Sequence, residues 1–165
     1  MPSLKLRNII VALGLALCCA PAARAATRVA CTASATGIAF GIYNPLSAVG
    51  DASTGTLRIT CSGSGTGSAN VTVNVTLSTG LSGSYSARKM FSGANSLNYN
   101  IFWSTAYNQI VGDGSGGSFG GSAGPFVVPA GGSNLATGTF YGLIPPSQDV
   151  APGSYSDVIT VTVTY

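Results

Sequence analysis

Short stretches of strict alternation between apolar and polar residues recur along the chain from residue 38 to residue 165. A period of two puts one set of side chains on one face of an extended segment, so the pattern predicts half-buried β-strands. Ile38, Phe40 and Ile42 share a face of a first predicted strand. Leu57, Ile59 and Cys61 share a face of a second, with Thr56, Arg58 and Thr60 opposite. In the third, Val71, Val73, Val75 and Leu77 oppose Thr72, Asn74, Thr76 and Ser78. Further strands are predicted over 85–91, 97–104 (Leu97, Tyr99, Ile101 and Trp103 inward), 126–129, 135–143 and 158–165. Gly, Ser and Pro clusters such as GSGTGSA, TGLSGS and PPSQDVAPG punctuate the gaps. Helical periodicity is missing after residue 25. Many short strands rich in Val, Thr and Tyr predict an all-β fold, an antiparallel β-sandwich of immunoglobulin-like type.

The first 25 residues break this pattern. Lys5 and Arg7 form a basic head, residues 9–20 an apolar run, and Ala23, Arg24 and Ala25 an AxA site. This is the layout of a secretory signal peptide cut between Ala25 and Ala26. The apolar run is shorter than the roughly 20 residues a bilayer requires, so no membrane insertion is expected once the signal is removed. The expected division is a signal peptide, 1–25, and one β-sandwich domain, 26–165.

Removing the signal changes the charge. Lys5, Arg7 and Arg24 leave with it, so Arg28, Arg58, Arg88 and Lys89 face Asp51, Asp113, Asp149 and Asp157. The mature chain is near neutral, and no basic stripe remains to follow a phosphate backbone; nucleic acid is not an expected partner. Cys18 and Cys19 also leave. The remaining pair, Cys31 and Cys61, in an oxidising compartment points to one disulfide. A metal site would lack ligands, since the chain has no His and no CxxC; neither metal nor cofactor is expected.

The Gly-rich stretch 112–124 carries motifs that invite a catalytic reading. GGSFG and GGSAG match GxSxG at Ser118 and Ser122. A nucleophile elbow needs a strand-to-helix turn and a general base, and Lys89 is the one candidate base in a chain without histidine. GDGSGG matches GxGxxG, yet no helix follows to hold a pyrophosphate. Asp113 alone is too few carboxylates for a calcium loop. The four Asp residues all sit in turn-like surroundings, where local backbone capping is the usual role, and no pair is poised for glycoside hydrolysis. The stretch is therefore expected to be a mobile loop, Trp103 a core residue, and the protein not an enzyme.

In DVITVTVTY, residues 157–165, the side chains of Ile159, Val161, Val163 and Tyr165 fall on one face, and those of Val158, Thr160, Thr162 and Thr164 on the other. At a sheet edge such a strand would expose a row of unpaired N–H and C=O groups that most proteins hide. That suggests a partner bound by β-strand addition. Cys31 followed by IAFGIY, LRITCS, VTVNVTLSTG, SARKM, LNYNIF, GDGSGG, FYGLIPPSQ and PGSYSDVITVTVTY, in that order, resembles the spore coat protein U domain family, which includes the Csu-type, or archaic, chaperone–usher pilins. The resemblance implies an incomplete immunoglobulin-like sandwich, pilin-like and lacking its final strand. It implies a periplasmic chaperone, an outer-membrane usher and neighbouring pilus subunits as partners. These would pair beside Val158, Ile159, Val161, Val163 and Tyr165. It also implies transit through the periplasm to a fimbria or coat at the cell surface, and a Cys31–Cys61 disulfide tying the first strand to the second.

A donating subunit of that family carries an alternating extension ahead of its first cysteine. Cleavage after Ala25 leaves only ATRVA, with Val29 its one large apolar side chain. Five residues span roughly 17 Å at about 3.3 Å each, too little to complete a neighbour's core. The chain is thus expected to accept a strand and donate none. N-terminal sequencing of the secreted protein should read Ala26 first; a start well upstream of Ala20 would restore a donor segment.

Overall fold

The computed structural model describes residues 26–165; the predicted signal segment, including Ala25, lies outside them. The strands are β1 (Arg28–Thr36), β2 (Asp51–Ser64), β3 (Ser68–Leu77), β4 (Lys89–Ser92), β5 (Asn95–Asn98), β6 (Asn100–Phe102), β7 (Gly121–Pro129), β8 (Ser133–Ile144) and β9 (Val161–Thr164). One sheet runs β1-β2-β8-β6 and a second β7-β3-β9, with β4 and β5 forming a hairpin beside them. All these pairings are antiparallel.

The two inner faces follow from the alternation. Leu57, Ile59 and Cys61 of β2 and Val71, Val73, Val75 and Leu77 of β3 are all buried, joined by Leu97, Ile101, Val111, Val128, Phe140 and Ile144. Cys31 of β1 lies directly opposite Cys61 of β2 in register, and the two form the expected disulfide.

One seam between the sheets, where β7 of the second sheet approaches β8 of the first, is narrowed by Trp103 to a groove of about 180 Å³. Its ring presses so closely on Gly121 of β7 that any side chain there would overlap it. The ring also tilts against Phe140 at 5.5 Å, and its Nε1–H donates to the Phe119 carbonyl at 3.0 Å. Trp103 is a core-packing residue, as expected.

Four sequence expectations need correction. The first strand is Arg28–Thr36, not 38–42. Gly41, within that apolar triplet, breaks it: it adopts φ +81°, a conformation side chains disfavour. Ile38 and Phe40 fold onto Gly142 of β8, where a Cβ would come within 2.7 Å of both side chains, while Ile42 is 97% exposed. The strand predicted over 85–91 begins only at Lys89, because Tyr85 turns inward and donates its hydroxyl to the Leu77 carbonyl at 3.0 Å. The run 97–104 is divided at Tyr99 between β5 and β6, which belong to different sheets.

The stretch 112–124 is hydrogen-bonded rather than a mobile loop. Asp113 Oδ1 accepts from the Ser115 amide at 2.9 Å and its hydroxyl at 2.6 Å, the Phe119 amide donates to the Ile110 carbonyl at 2.8 Å, and from Gly121 the chain is already strand β7. The entropy cost of ordering glycines is met by this local bonding and by pairing with β3.

Replacing both Cys31 and Cys61 by Ala should lower unfolding stability by about 3–4 kcal/mol, the chain-entropy value for a loop of this length, read as a lower denaturant midpoint with a slope no smaller than before, since the unfolded chain expands without the crosslink. A loss under about 1 kcal/mol would mean that β1 is held by its ladder alone.

Candidate functional site

The seam on the other side of the sandwich is open. In β1 the inward positions opposite Leu57, Ile59 and Cys61 are Ala35, Ala33 and Cys31. Cys31 and Val29 pack against the core, but Ala33 and Ala35 are exposed although their partners Ile59 and Leu57 are buried. Across from them, Ile159, Val161 and Val163 are half-buried against the core from the β9 side. Between these walls lies a groove of about 500 Å³, floored by Leu77, Tyr99, Ile101 and Phe140. It runs into a wider cleft of about 820 Å³ that shares Ile38, Phe40, Met90 and Tyr155 with it.

The β9 wall also offers unpaired backbone. Among the described residues β9 pairs only with β3, in register Asn74↔Thr164, Val75↔Val163, Thr76↔Thr162 and Leu77↔Val161. One step earlier Ser78 N–H donates to the Thr160 carbonyl at 2.9 Å. In an antiparallel ladder the hydrogen-bonded pairs alternate. The N–H and C=O of Thr160, Thr162 and Thr164 therefore face β3, and those of Ile159, Val161 and Val163 face the open edge. The same odd-numbered residues direct their side chains at the core. Val158 and Tyr165 are 71% and 60% exposed, Tyr165 standing one residue past the end of β9.

The opposite edge of this sheet is treated differently. β7 carries Pro125 behind a cis peptide bond with Gly124, ends at Pro129, and meets a register shift between Val71 and Val73 of β3. Prolines and irregular pairing are standard means of blunting an edge. The stretch 158–165 has no proline, no charge and no such shift.

Behind the β9 wall is a polar network that sequence reasoning missed. Arg88, which entered the sequence reading only in the charge balance, is fully buried. Nη1 donates to Asn100 Oδ1 at 3.0 Å, Nη2 to the carbonyls of Ser78 at 2.7 Å and Val111 at 2.8 Å, and the guanidinium lies over the Tyr85 ring at 5.1 Å. Asn100 Nδ2 in turn donates to the Tyr85 carbonyl at 2.8 Å. Burial presses the Arg88 pKa below the usual arginine value, opposed by the nearby Tyr99, Tyr85 and Asp157. Burial pushes the Tyr85 and Tyr99 phenols upward, and for Tyr99 a hydrogen bond to Asp157 adds to the effect. The one available signal was Asn100, a polar residue inside the apolar run LNYNIF. Asp157, expected to cap only local backbone, also reaches Leu81 and Tyr99.

The serines of the two GxSxG matches are separated in role. Ser118 is buried, its hydroxyl donating to the Ser115 carbonyl at 2.7 Å and accepting from Gly114 N–H at 3.3 Å; Ser122 is exposed on β7. Among the described residues no cluster of three or more His, Cys, Asp or Glu side chains is placed to hold a metal.

Fold and seam together define the class: an immunoglobulin-like β-sandwich of pilin type, one strand short on one side. The chain belongs to the Spore Coat Protein U domain family, whose profile matches residues 18–162. Among solved structures it is similar to a chain in the crystal structure of the CsuC–CsuE chaperone–tip adhesion subunit pre-assembly complex from archaic chaperone–usher Csu pili of Acinetobacter baumannii. The TM-score is 0.56 at 23% identity, over 84% of this chain and 40% of that chain, a likeness of fold. This protein thus spans less than half of that neighbour's length. No curated protein matches it.

The phenol shifts set a pH dependence. Below pH 10, the ordinary phenol value, both folded and unfolded chains hold the proton and stability is unaffected. Above it the unfolded chain releases protons that buried Tyr99 and Tyr85 retain, so stability falls as pH rises. Denaturant titration should show a declining midpoint above pH 10, and Tyr99→Phe should flatten the decline. An unchanged midpoint up to pH 11.5 would refute this role for the buried phenols.

Proposed function

We propose that this protein is a secreted, non-enzymatic structural subunit of a chaperone–usher fimbria, completed by a strand from another polypeptide. The observation that carries the reading is the groove beside β9, in which an apolar floor and an unpaired ladder of Ile159, Val161 and Val163 coincide. An extended segment with alternating apolar side chains satisfies both at once: its backbone pairs with β9, and every second side chain enters the groove. A periplasmic chaperone supplies that strand in transit. At the outer-membrane usher a neighbouring subunit then replaces it, and the protein reaches the cell surface.

The domain is an acceptor and not a donor, which fits a tip or initiating position. With cleavage after Ala25, everything ahead of Cys31 is already engaged: residues 28–30 pair with Ser62, Gly63 and Ser64 of β2, and the Thr27 hydroxyl donates to the Thr66 carbonyl at 2.7 Å. A segment committed to its own sheet is not free to enter a neighbour's groove.

Expression of the mature chain with and without a cognate periplasmic chaperone tests the reading. Alone it should aggregate or be degraded; with the chaperone it should be recovered as a one-to-one complex. A stable monomer without any chaperone, unchanged by an excess of a synthetic strand of alternating Val and Thr, would point instead to a self-sufficient coat or glycan-binding domain.

A further inference from the structure

Alternation accounts for the apolar face of the β9 wall but not for what holds that wall in place. Asp157 stands where the wall begins, half-buried at the groove. Its Oδ1 accepts from the Leu81 amide at 2.8 Å and from the Val158 amide at 2.7 Å, and its Oδ2 accepts from the Tyr99 hydroxyl at 2.7 Å. The carboxylate occupies the space over Gly80 that a Cβ would fill. Tyr99 is itself buried, forms part of the groove floor and meets the Phe40 ring edge-on at 6.1 Å. On one side Ser156 and Phe91 exchange backbone hydrogen bonds at 2.8 and 3.1 Å. On the other, Thr160 N–H donates to Ser78 Oγ at 2.9 Å, because Arg88 Nη2 occupies the Ser78 carbonyl.

We propose that the Asp157 carboxylate, gripped by Tyr99 and the Leu81 amide, is a positioning latch that keeps the groove open and sets the register in which an incoming strand engages β9. The inference rests on the strand-accepting reading and names the residues that prepare that site. Two physical consequences carry it. First, the Val158 amide, which by the same alternation lies on the side away from the open edge, is held by Asp157, and with the Leu81 and Tyr99 bonds this fixes the point from which the open ladder of Ile159, Val161 and Val163 runs. Second, Val158 is exposed and Ile159 only half-buried beside an apolar groove, so moving them further in would remove apolar surface from water. Without a tether the segment 156–159 gains by folding inward over Leu77, Tyr99 and Ile101 and filling the space a partner needs. Three hydrogen bonds to one carboxylate, two of them from elements distant in sequence, oppose that collapse.

The test uses the full mature chain refolded with a synthetic peptide of alternating Val and Thr, tagged for fluorescence and carrying one photoreactive residue. Capture rate and the crosslinked position on β9 are read together. The unmodified chain should capture the peptide in one dominant register. Asp157→Ala and Tyr99→Phe should each slow capture by about tenfold, the weight of one charge-assisted hydrogen bond, and spread the crosslinks over positions two residues apart. Asp157→Asn keeps Oδ1 as acceptor and can donate its amide to the Tyr99 oxygen, so it should restore rate and register to within about threefold of the unmodified chain, under half the weight of such a bond. Unchanged rate and register in Asp157→Ala and Tyr99→Phe, with only a lowered melting temperature of the captured complex, would make the contact merely structural and overturn the latch. No capture by the unmodified chain would overturn the strand-accepting reading and the latch with it, a result distinct from capture that is indifferent to Asp157.

Discussion

A two-sheet sandwich has two seams, and its inner faces stay dry only if both are closed. In this protein one seam is narrowed from within to about 180 Å³, by Trp103 lying on Gly121 and Phe140. The other has the same apolar floor but lacks the strand that would cover it. Nearly every other feature of the molecule answers to that asymmetry. Each apolar side chain fully buried in the open groove would contribute about 1.5–3 kcal/mol. Three or four of them amount to a large part of the roughly 5–15 kcal/mol that stabilises a typical domain. The exposed edge and the exposed floor are therefore two sides of one deficit, and whatever repairs one repairs the other.

The polar network around Arg88 makes sense against the same deficit. A chain with so few charges has little reason to bury one of the four cations among its described residues, and a buried guanidinium facing only neutral acceptors is costly. Here Nη1 and Nη2 are spent on Asn100, Ser78 and Val111, which lie on three segments that meet behind the β9 wall, while Nε is buried with no partner among the described residues. A wall without a covering strand receives no hydrogen bonds from its open side, so its rigidity must come from behind. Hydrogen bonds to fixed carbonyls supply direction as well as energy, which apolar packing alone does not.

How much of this was legible in the sequence depended on what each residue faces. β2, β3 and β8 were readable because each packs one face on the core, and burial imposes the period of two. β1 was invisible for the opposite reason. Its inward residues beyond Cys31 are Ala33 and Ala35, too small to register as an apolar face, and they border the groove instead of a completed core. The triplet Ile38, Phe40 and Ile42 showed the right period in the wrong place: two of its members reach the core as plugs over Gly142, and the third points to solvent. Arg88 looked like any surface cation because nothing in SARKM marks a guanidinium as buried; its acceptors are backbone carbonyls, which carry no residue-type signature. The terminal strand was legible in its alternation, though it is shorter than predicted, Val161–Thr164 instead of 158–165, and that its edge is open comes from the structure and not from the letters.

The small inward residues of β1 bear on the partner as well as on the fold. If the groove were a packing defect, large side chains on β1 would be expected to lean over and fill it, as Ile38 and Phe40 do over Gly142 further along. Instead the wall facing β9 narrows to Ala33, Ala35 and Gly37, while the floor keeps Leu77, Ile101 and Phe140. Interiors tolerate little unfilled volume, and the space left between small side chains on one wall and large ones on the floor is of the kind an added strand would fill. On the strand-accepting reading, the donor's bulky residues occupy the room that β1 gives up. A chain completed in this way cannot close its own core with its own side chains without first enlarging Ala33 or Ala35, and such an enlargement would compete directly with the partner for the same space.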